Sequence, residues 1–199
     1  MGLRETKKQE TRREIADTAM RLFVQRGFDR VTVAEVAAEA HVSEKTVFNY
    51  FPTKEDLFFD EVPERLQRIT DAIHSRPPGE TILATLRGLQ LADAPRMCSE
   101  GFADFARIIE NSPALQAKEV DVMARFSHVL ATTLQEQGLP ERDARIVAGL
   151  LMSVHRQFFR AARKQALEGK TGPAALRQLK ADLARAYELL DGGLTAVFA

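Results

Sequence analysis

Apolar side chains recur along this chain at intervals of three and four, with no stretch of the one-by-one alternation that a half-buried strand needs. Between Lys8 and Arg26, Ile15, Ala19, Leu22 and Phe23 share one helical face. Gly27 supplies the stop, because a residue without Cβ enters the left-handed turn that ends many helices. Thr32 followed by Glu35 has capping-box spacing and predicts a short helix with Val33, Val36, Ala37 and Ala40 facing inward. After a break at His41 and Val42, Ser43 caps a third helix carrying Val47 and Phe48. It ends before Pro52, since proline pushes Phe51 out of helical space. Thr53 opens a fourth helix, with Glu55 and Asp56 at its positive end. Its periodicity runs on through Leu66, Ile69 and Ile73, so Pro63, which lacks an N–H, is expected to kink or divide it and is a candidate hinge.

Proline and glycine continue to separate helical stretches, approximately 80–92, 96–111, 113–137, 140–168 and 173–190. The expected fold is all-α: a three-helix N-terminal helix-turn-helix domain over residues 1–56 and a C-terminal helical bundle over 57–199. Within 144–162 the apolar stripe is too wide for a helix that covers one core face, which predicts burial on two sides.

Charge narrows the classes of function. The 28 basic and 28 acidic side chains cancel, against a protein that coats nucleic acid indiscriminately, though a local basic patch suffices for a specific reader. Arg4, Lys7, Lys8, Arg12 and Arg13 form one candidate patch; a solvated helix face is its plainer explanation. One cysteine, Cys98, permits no internal disulfide, and an isolated thiol is a weak redox sensor. The charged N-terminus lacks a signal peptide's apolar stretch and no run reaches membrane-span length, so a soluble cytoplasmic protein without membrane contact is expected. No phosphate loop, metal-ligand cluster or nucleophile–base signature stands out, so neither an enzyme nor a cofactor or metal site is expected.

The third helix carries the chemistry. Val47 points to the core, while Ser43, Glu44, Lys45, Thr46, Asn49 and Tyr50 take outward or flanking positions. These are groups that hydrogen-bond phosphates and base edges, on a helix short enough to enter a major groove. The stretch TRREIADTAMRLFVQRGFDRVTVAEVAAEAHVSEKTVFNYFPTKEDL resembles the DNA-binding domain of TetR-type regulators in its RGF ending, T-V-A-E-V-A helix, V-S turn, T-V-F helix and F-P-T-K-E-D-L opening. The resemblance implies that Lys45 and Thr46 meet base edges or nearby backbone, and that Thr32, Thr46, Asn49, Tyr50 and Lys54 clamp phosphates. Ser43 joins this DNA-binding set. Lysine donates well to guanine O6 and N7, which favours Lys45 as the base reader. Glu44 either accepts from cytosine N4 or repels phosphate. Phe48 stands where the family often has a phosphate-binding tyrosine, so it is expected to pack.

For the rest of the chain the resemblance implies a dimerising, effector-binding domain. Leu150, Val154 and Phe158, with Leu176, Leu179, Leu183 and Tyr187 at coiled-coil-like spacings, are the expected dimer interface; an intramolecular core is the alternative. Met97, Phe102, Phe105, Met123, Phe126, Leu130 and Met152, with Leu151, offer lining for an apolar pocket, and His155 or His128 a polar group within it. The function expected is a repressor, homodimeric on an inverted-repeat site in double-stranded DNA and released by an unknown small, largely apolar effector. The competing reading is a DNA-binding dimer without such an effector, acting constitutively or through a protein partner.

Overall fold

The computed structural model describes residues 3–192, with side chains from position 6, so the side chain of Arg4 lies outside the described residues. All regular structure there is helical, in ten helices, and none is long and apolar enough to cross a membrane. The chain divides into two compact units: Met1–Pro63 with Arg107–Glu119, and Glu64–Ala106 with Val120–Ala199.

In the first unit, α1 (Leu3–Arg26) begins ahead of the apolar periodicity, so the charged N-terminal run is itself helical. Gly27 ends it at φ +83°, donating its N–H to Phe23 O at 2.9 Å. Next come α2 (Val33–Glu39), α3 (Glu44–Tyr50) and α4 (Lys54–Phe58); α1 packs on α2 and α4, and α2 on α3. The turn between α2 and α3 passes through His41 at φ +55°, a left-handed conformation uncommon for a residue with a Cβ. Phe23, Phe28 and Phe58 form the aromatic centre, with ring centroids 4.9 to 6.4 Å apart. Ile15, Ala19, Val36, Val47, Phe51 and Leu57 close around it, all buried. Burying one such large side chain stabilises the fold by about 1.5–3 kcal/mol. The corner between α7 (Glu100–Glu110) and α8 (Pro113–Glu136) completes the unit. There Ser112 Oγ donates to Asp29 Oδ1 at 2.8 Å, and Lys118 Nζ meets Asp56 Oδ1 at 2.8 Å.

The fourth helix divides rather than kinks. It ends at Phe58, and α5 (Val62–His74) starts with Pro63 in its first turn, where the missing N–H breaks no helical bond. Pro63 therefore opens a helix instead of bending one.

The second unit holds the rest of α5, together with α6 (Ile82–Met97), most of α7 and α8, α9 (Glu141–Leu167) and α10 (Gly172–Gly192). Pro95, expected to separate two helices, lies within the last turn of α6. α10 packs on both α9 and α6. The centre of that packing contains Ala94, Met97, Phe102, Phe158, Ala162, Leu179 and Leu183. Alanines on α6 and α9 let the helix backbones approach closely.

Candidate DNA interface and effector cavity

The start of α3 is fixed by its own side chains. Ser43 Oγ accepts from the Thr46 N–H at 3.0 Å and lies 2.8 Å from Thr46 Oγ1, so both hydroxyls are engaged with each other. This cap satisfies an N–H that helix geometry would leave free. Lys45 and Asn49 are exposed and Tyr50 is half-buried beside Phe51. Phe48 is 47% exposed, against the expectation that it packs. The correction follows from helix geometry: Val47 takes the one inward position, and its neighbour is rotated by about 100° onto the outer face. Lys45, Phe48 and Asn49, three and four residues apart, consequently share one outward face.

Thr32 caps α2 as expected. Glu35 N–H donates to Thr32 Oγ1 at 3.2 Å, while the Thr32 N–H donates to Glu35 Oε2 at 2.8 Å. Arg26 adds a 2.6 Å bond to Glu35 Oε1. The Thr32 backbone N–H, with Arg26 next, holds the Glu35 carboxyl down to about 2. Lys54 is anchored within the chain. Its ammonium donates to Phe28 O at 2.6 Å and lies 4.1 Å from the centre of the Phe28 ring. Burial lowers its pKa against the opposing pull of Asp29, Glu55 and Glu35. The bond to Phe28 O uses one of the three ammonium donors, so it fixes the side chain without occupying the other two. Arg12 is likewise drawn inward, donating to Asp60 O at 2.6 Å with its guanidinium over Phe51.

The second unit contains a cavity of about 50 Å³. Phe126, Leu130, Leu151, Met152 and His155 line it, and so do Gln90 and Arg65, Arg68, Ile69, Leu86, Leu89, Asp93 and Tyr187, the last seven of which carry no sequence mark of a cavity. Met97 and Phe102 belong instead to the packed core, Phe105 packs against it, and Met123 is half-buried away from this cavity. The reason is aromatic stacking: Phe102 lies 5.9 Å from Phe105 and 5.5 Å from Phe159, which fills the space they were expected to line. His128 is exposed on α8. Cys98 is buried and burial raises its thiol pKa, the opposite of activation.

One side of the cavity is ionic, one ring-walled. Arg68 donates to both Asp93 oxygens, at 2.9 and 2.7 Å, and Arg65 lies 3.5 Å from the same carboxylate. His155 stacks between Phe126 and Phe159, at 5.9 and 6.4 Å, and its Nδ1 is 3.1 Å from Gln90 Nε2. Burial, then the charges of Arg65 and Arg156, lower the His155 pKa to about 4, so at neutral pH the ring is uncharged. Gln90 was findable: it continues the stripe Leu86, Ala94, Met97 on the inner face of α6, a polar residue where the period calls for an apolar one.

Residues 15–60 match the family described as bacterial regulatory proteins, tetR family. Over those residues the chain carries a DNA-binding domain of the tetR-family type. It is 27% identical over 142 residues to the HTH-type transcriptional regulator TcmR of Streptomyces glaucescens, covering 65% of this chain and 63% of TcmR, so it spans less than two thirds of that relative. Over 57 residues, 29% of this chain and 27% of the other, it is 44% identical to LuxR of Vibrio harveyi. The Thermus thermophilus FadR, a TetR-family repressor solved in complex with lauroyl-CoA, superposes with a TM-score of 0.52 at 25% identity, covering 90% of this chain and 92% of FadR. The matches thus show a tetR-family DNA-binding domain at residues 15–60 and, along most of the chain, the helical fold of a TetR-family repressor.

The expected dimer face needs correction. Val154, Phe158, Leu179, Leu183 and Tyr187 are buried within the chain's own core and Leu176 packs against it, leaving almost no area for a partner to cover. The wide stripe on α9 is explained by burial against α6 and α10 of the same chain. Of the predicted set only Leu150 is exposed, at 53%, one turn from Ile146 at 54%.

Proposed function

We propose that this regulator is a homodimeric repressor that binds an inverted-repeat operator and is released by a small, largely apolar ligand. Residues 1–56 read the DNA; residues 57–199 dimerise and hold the effector, in the cytoplasm. Lys45 reads a base edge and Phe48 meets a thymine methyl beside it, with Asn49 on the same face; Thr32, Ser43, Thr46 and Tyr50 hold phosphates. A second copy covers Ile146 and Leu150, whose α9 face also presents Gly149 and Ser153, small residues that permit close helix approach.

The cavity carries the ligand-responsive reading. A mostly apolar wall with a few convergent polar groups is the usual composition of a small-molecule site. FadR's lauroyl-CoA complex supports an effector, but 50 Å³ is far below the roughly 300 Å³ at which drug-sized pockets begin, so it favours a smaller one. That same small volume favours the second reading, a dimer with no small effector. Duplexes selected from a random pool by the purified chain give the operator, and release from it by small apolar compounds separates the readings. Inverted repeats and release support the proposal. A single half-site bound by a monomer overturns the dimeric repressor, and release by no compound favours the second reading.

A further inference from the structure

The cavity's polar groups are specific enough to say what chemistry they await, given the reading above that it holds an effector. Gln90 Oε1 is buried with no hydrogen-bond partner. Exchanging the two ends of the amide does not help, because His155 Nδ1 meets one end only and the other stays unpaired. Tyr187 lines the same cavity and is 4% exposed. Leaving one buried polar group unpaired costs about 1–3 kcal/mol, and one beside a cavity is an expensive way to build a core.

We propose that the cavity beside Gln90 and Tyr187 is a binding site for a small uncharged molecule carrying one hydroxyl on an apolar skeleton. A hydroxyl both donates and accepts, so it can satisfy the free end of the Gln90 amide and the Tyr187 phenol together, whichever way the amide points. The skeleton then lies against Leu86, Leu130, Leu151 and Met152. An anion fits less well. Arg68 is already held by both oxygens of Asp93, and a ligand carboxylate would compete with that pair. His155, uncharged near neutral pH, offers it no counter-charge. Size sets the scale: an apolar cavity of about 150 Å³ accommodates benzene. At about 50 Å³ this one must widen to take a ring. Leucine and methionine walls can yield by changing rotamer, and a ligand that needs the wider state favours that state by mass action.

The test uses the full chain with phenol, toluene, cyclohexanol and benzoate as probes, read by calorimetry and ligand-observed NMR. Phenol and cyclohexanol are expected to bind at least tenfold more tightly than toluene, which has the skeleton without the hydroxyl. Tyr187→Phe and Gln90→Leu are each expected to shrink that preference to threefold or less. Tyr187→Phe removes only the hydroxyl and keeps the ring, so thermal melting should show it folded; if Gln90→Leu fails to fold, Tyr187→Phe decides alone. Equal binding of phenol and toluene overturns the proposal, as does a preference for benzoate or a hydroxyl preference unchanged in folded Tyr187→Phe. Operator affinity is measured separately in the same samples. Selective phenol binding with an unchanged operator complex upholds the site and counts against the effector reading. Release by a compound that does not compete with phenol upholds the effector reading and overturns this site as the place where it acts.

Discussion

Ser112, 1% exposed at the α7–α8 corner, donates its hydroxyl to Asp29 Oδ1 across 83 positions of sequence, at 2.8 Å. The bond fixes the loop after Gly27 to a segment far along the chain. Ser112→Ala is expected to lower stability by about 1 kcal/mol, since a bond to a charged partner is lost while Asp29 itself stays exposed to water. For a chain of this size that shifts the melting midpoint by about 2–4 °C. Scanning calorimetry checks it, and an unchanged midpoint would show that the bond adds nothing.

Lys45 and Lys54 are expected to part company under substitution. Lys45→Ala should weaken the selected operator by about 1–3 kcal/mol and relax its preference, with little change in melting. Lys54→Ala should instead lower the melting temperature, because it removes the bond to Phe28 O and the ammonium over the Phe28 ring. Melting curves and binding isotherms on operator and random duplex, at one salt concentration, separate them. Equal losses on both DNAs for Lys45→Ala would remove it as a base reader.

Phe48 is expected to act on DNA rather than on folding. Phe48→Ala should leave stability within about 0.5 kcal/mol, as for most exposed positions. Operator affinity should fall by about 1 kcal/mol or more as apolar area is no longer covered. Uracil in place of each operator thymine, one at a time, should reproduce the loss at one position and have no further effect on Phe48→Ala. If every uracil duplex binds as the parent does, Phe48 does not meet a thymine methyl.

His155 gives the fold a pH dependence of known sign. Its folded pKa, about 4, lies below the ordinary 6.5, so between these values the unfolded chain binds the extra proton. Stability is therefore full above 6.5, falls as the pH drops towards 4, and loses up to about 3 kcal/mol from this group. His155→Gln is expected to flatten that part of the curve in urea titrations at pH 4.5 and 7. A His155 ring titrating near 6.5 by NMR would remove the effect.

The α9 face gives the clearest test of assembly. Leu150→Glu is expected to yield a folded monomer by sedimentation, because the side chain is exposed in the single chain. Leu183→Ala, at 1% exposure, should instead destabilise the chain by about 2–5 kcal/mol. A Leu150→Glu protein that remains dimeric would move the interface elsewhere.

Sequence reading succeeded where one side chain's role is set by near neighbours. The caps at Thr32, Ser43 and Thr53, the stop at Gly27 and the inward Val47 all follow from spacing within a few residues, and all are present. It failed where the partner is distant. Periodicity showed that Leu179, Leu183 and Tyr187 are buried but not against what, and the covering helices proved to be α6 and α9 of the same chain. The bond from Lys54 to Phe28 O was not legible for the same reason, since its partner is 26 residues away. Met97 and Phe102 had cavity-like chemistry, but Phe159 occupies the space beside Phe102. Arg65, Arg68 and Asp93 carry no local mark, because their grouping exists only once α5 and α6 are side by side.

The α7–α8 corner also limits how this chain can be recombined. A hybrid that transplanted only positions 1–63 onto another regulator's core would carry Asp29 and Asp56 without Ser112 and Lys118. Exchange of the reader between relatives thus requires three junctions within the chain rather than one, or accepting a foreign corner that happens to offer a hydroxyl and an ammonium at the same points. The DNA-reading end is a discontinuous inheritance, and a drifting operator preference is more readily accommodated by changes at Lys45, Phe48 and Asn49 than by importing a ready-made head.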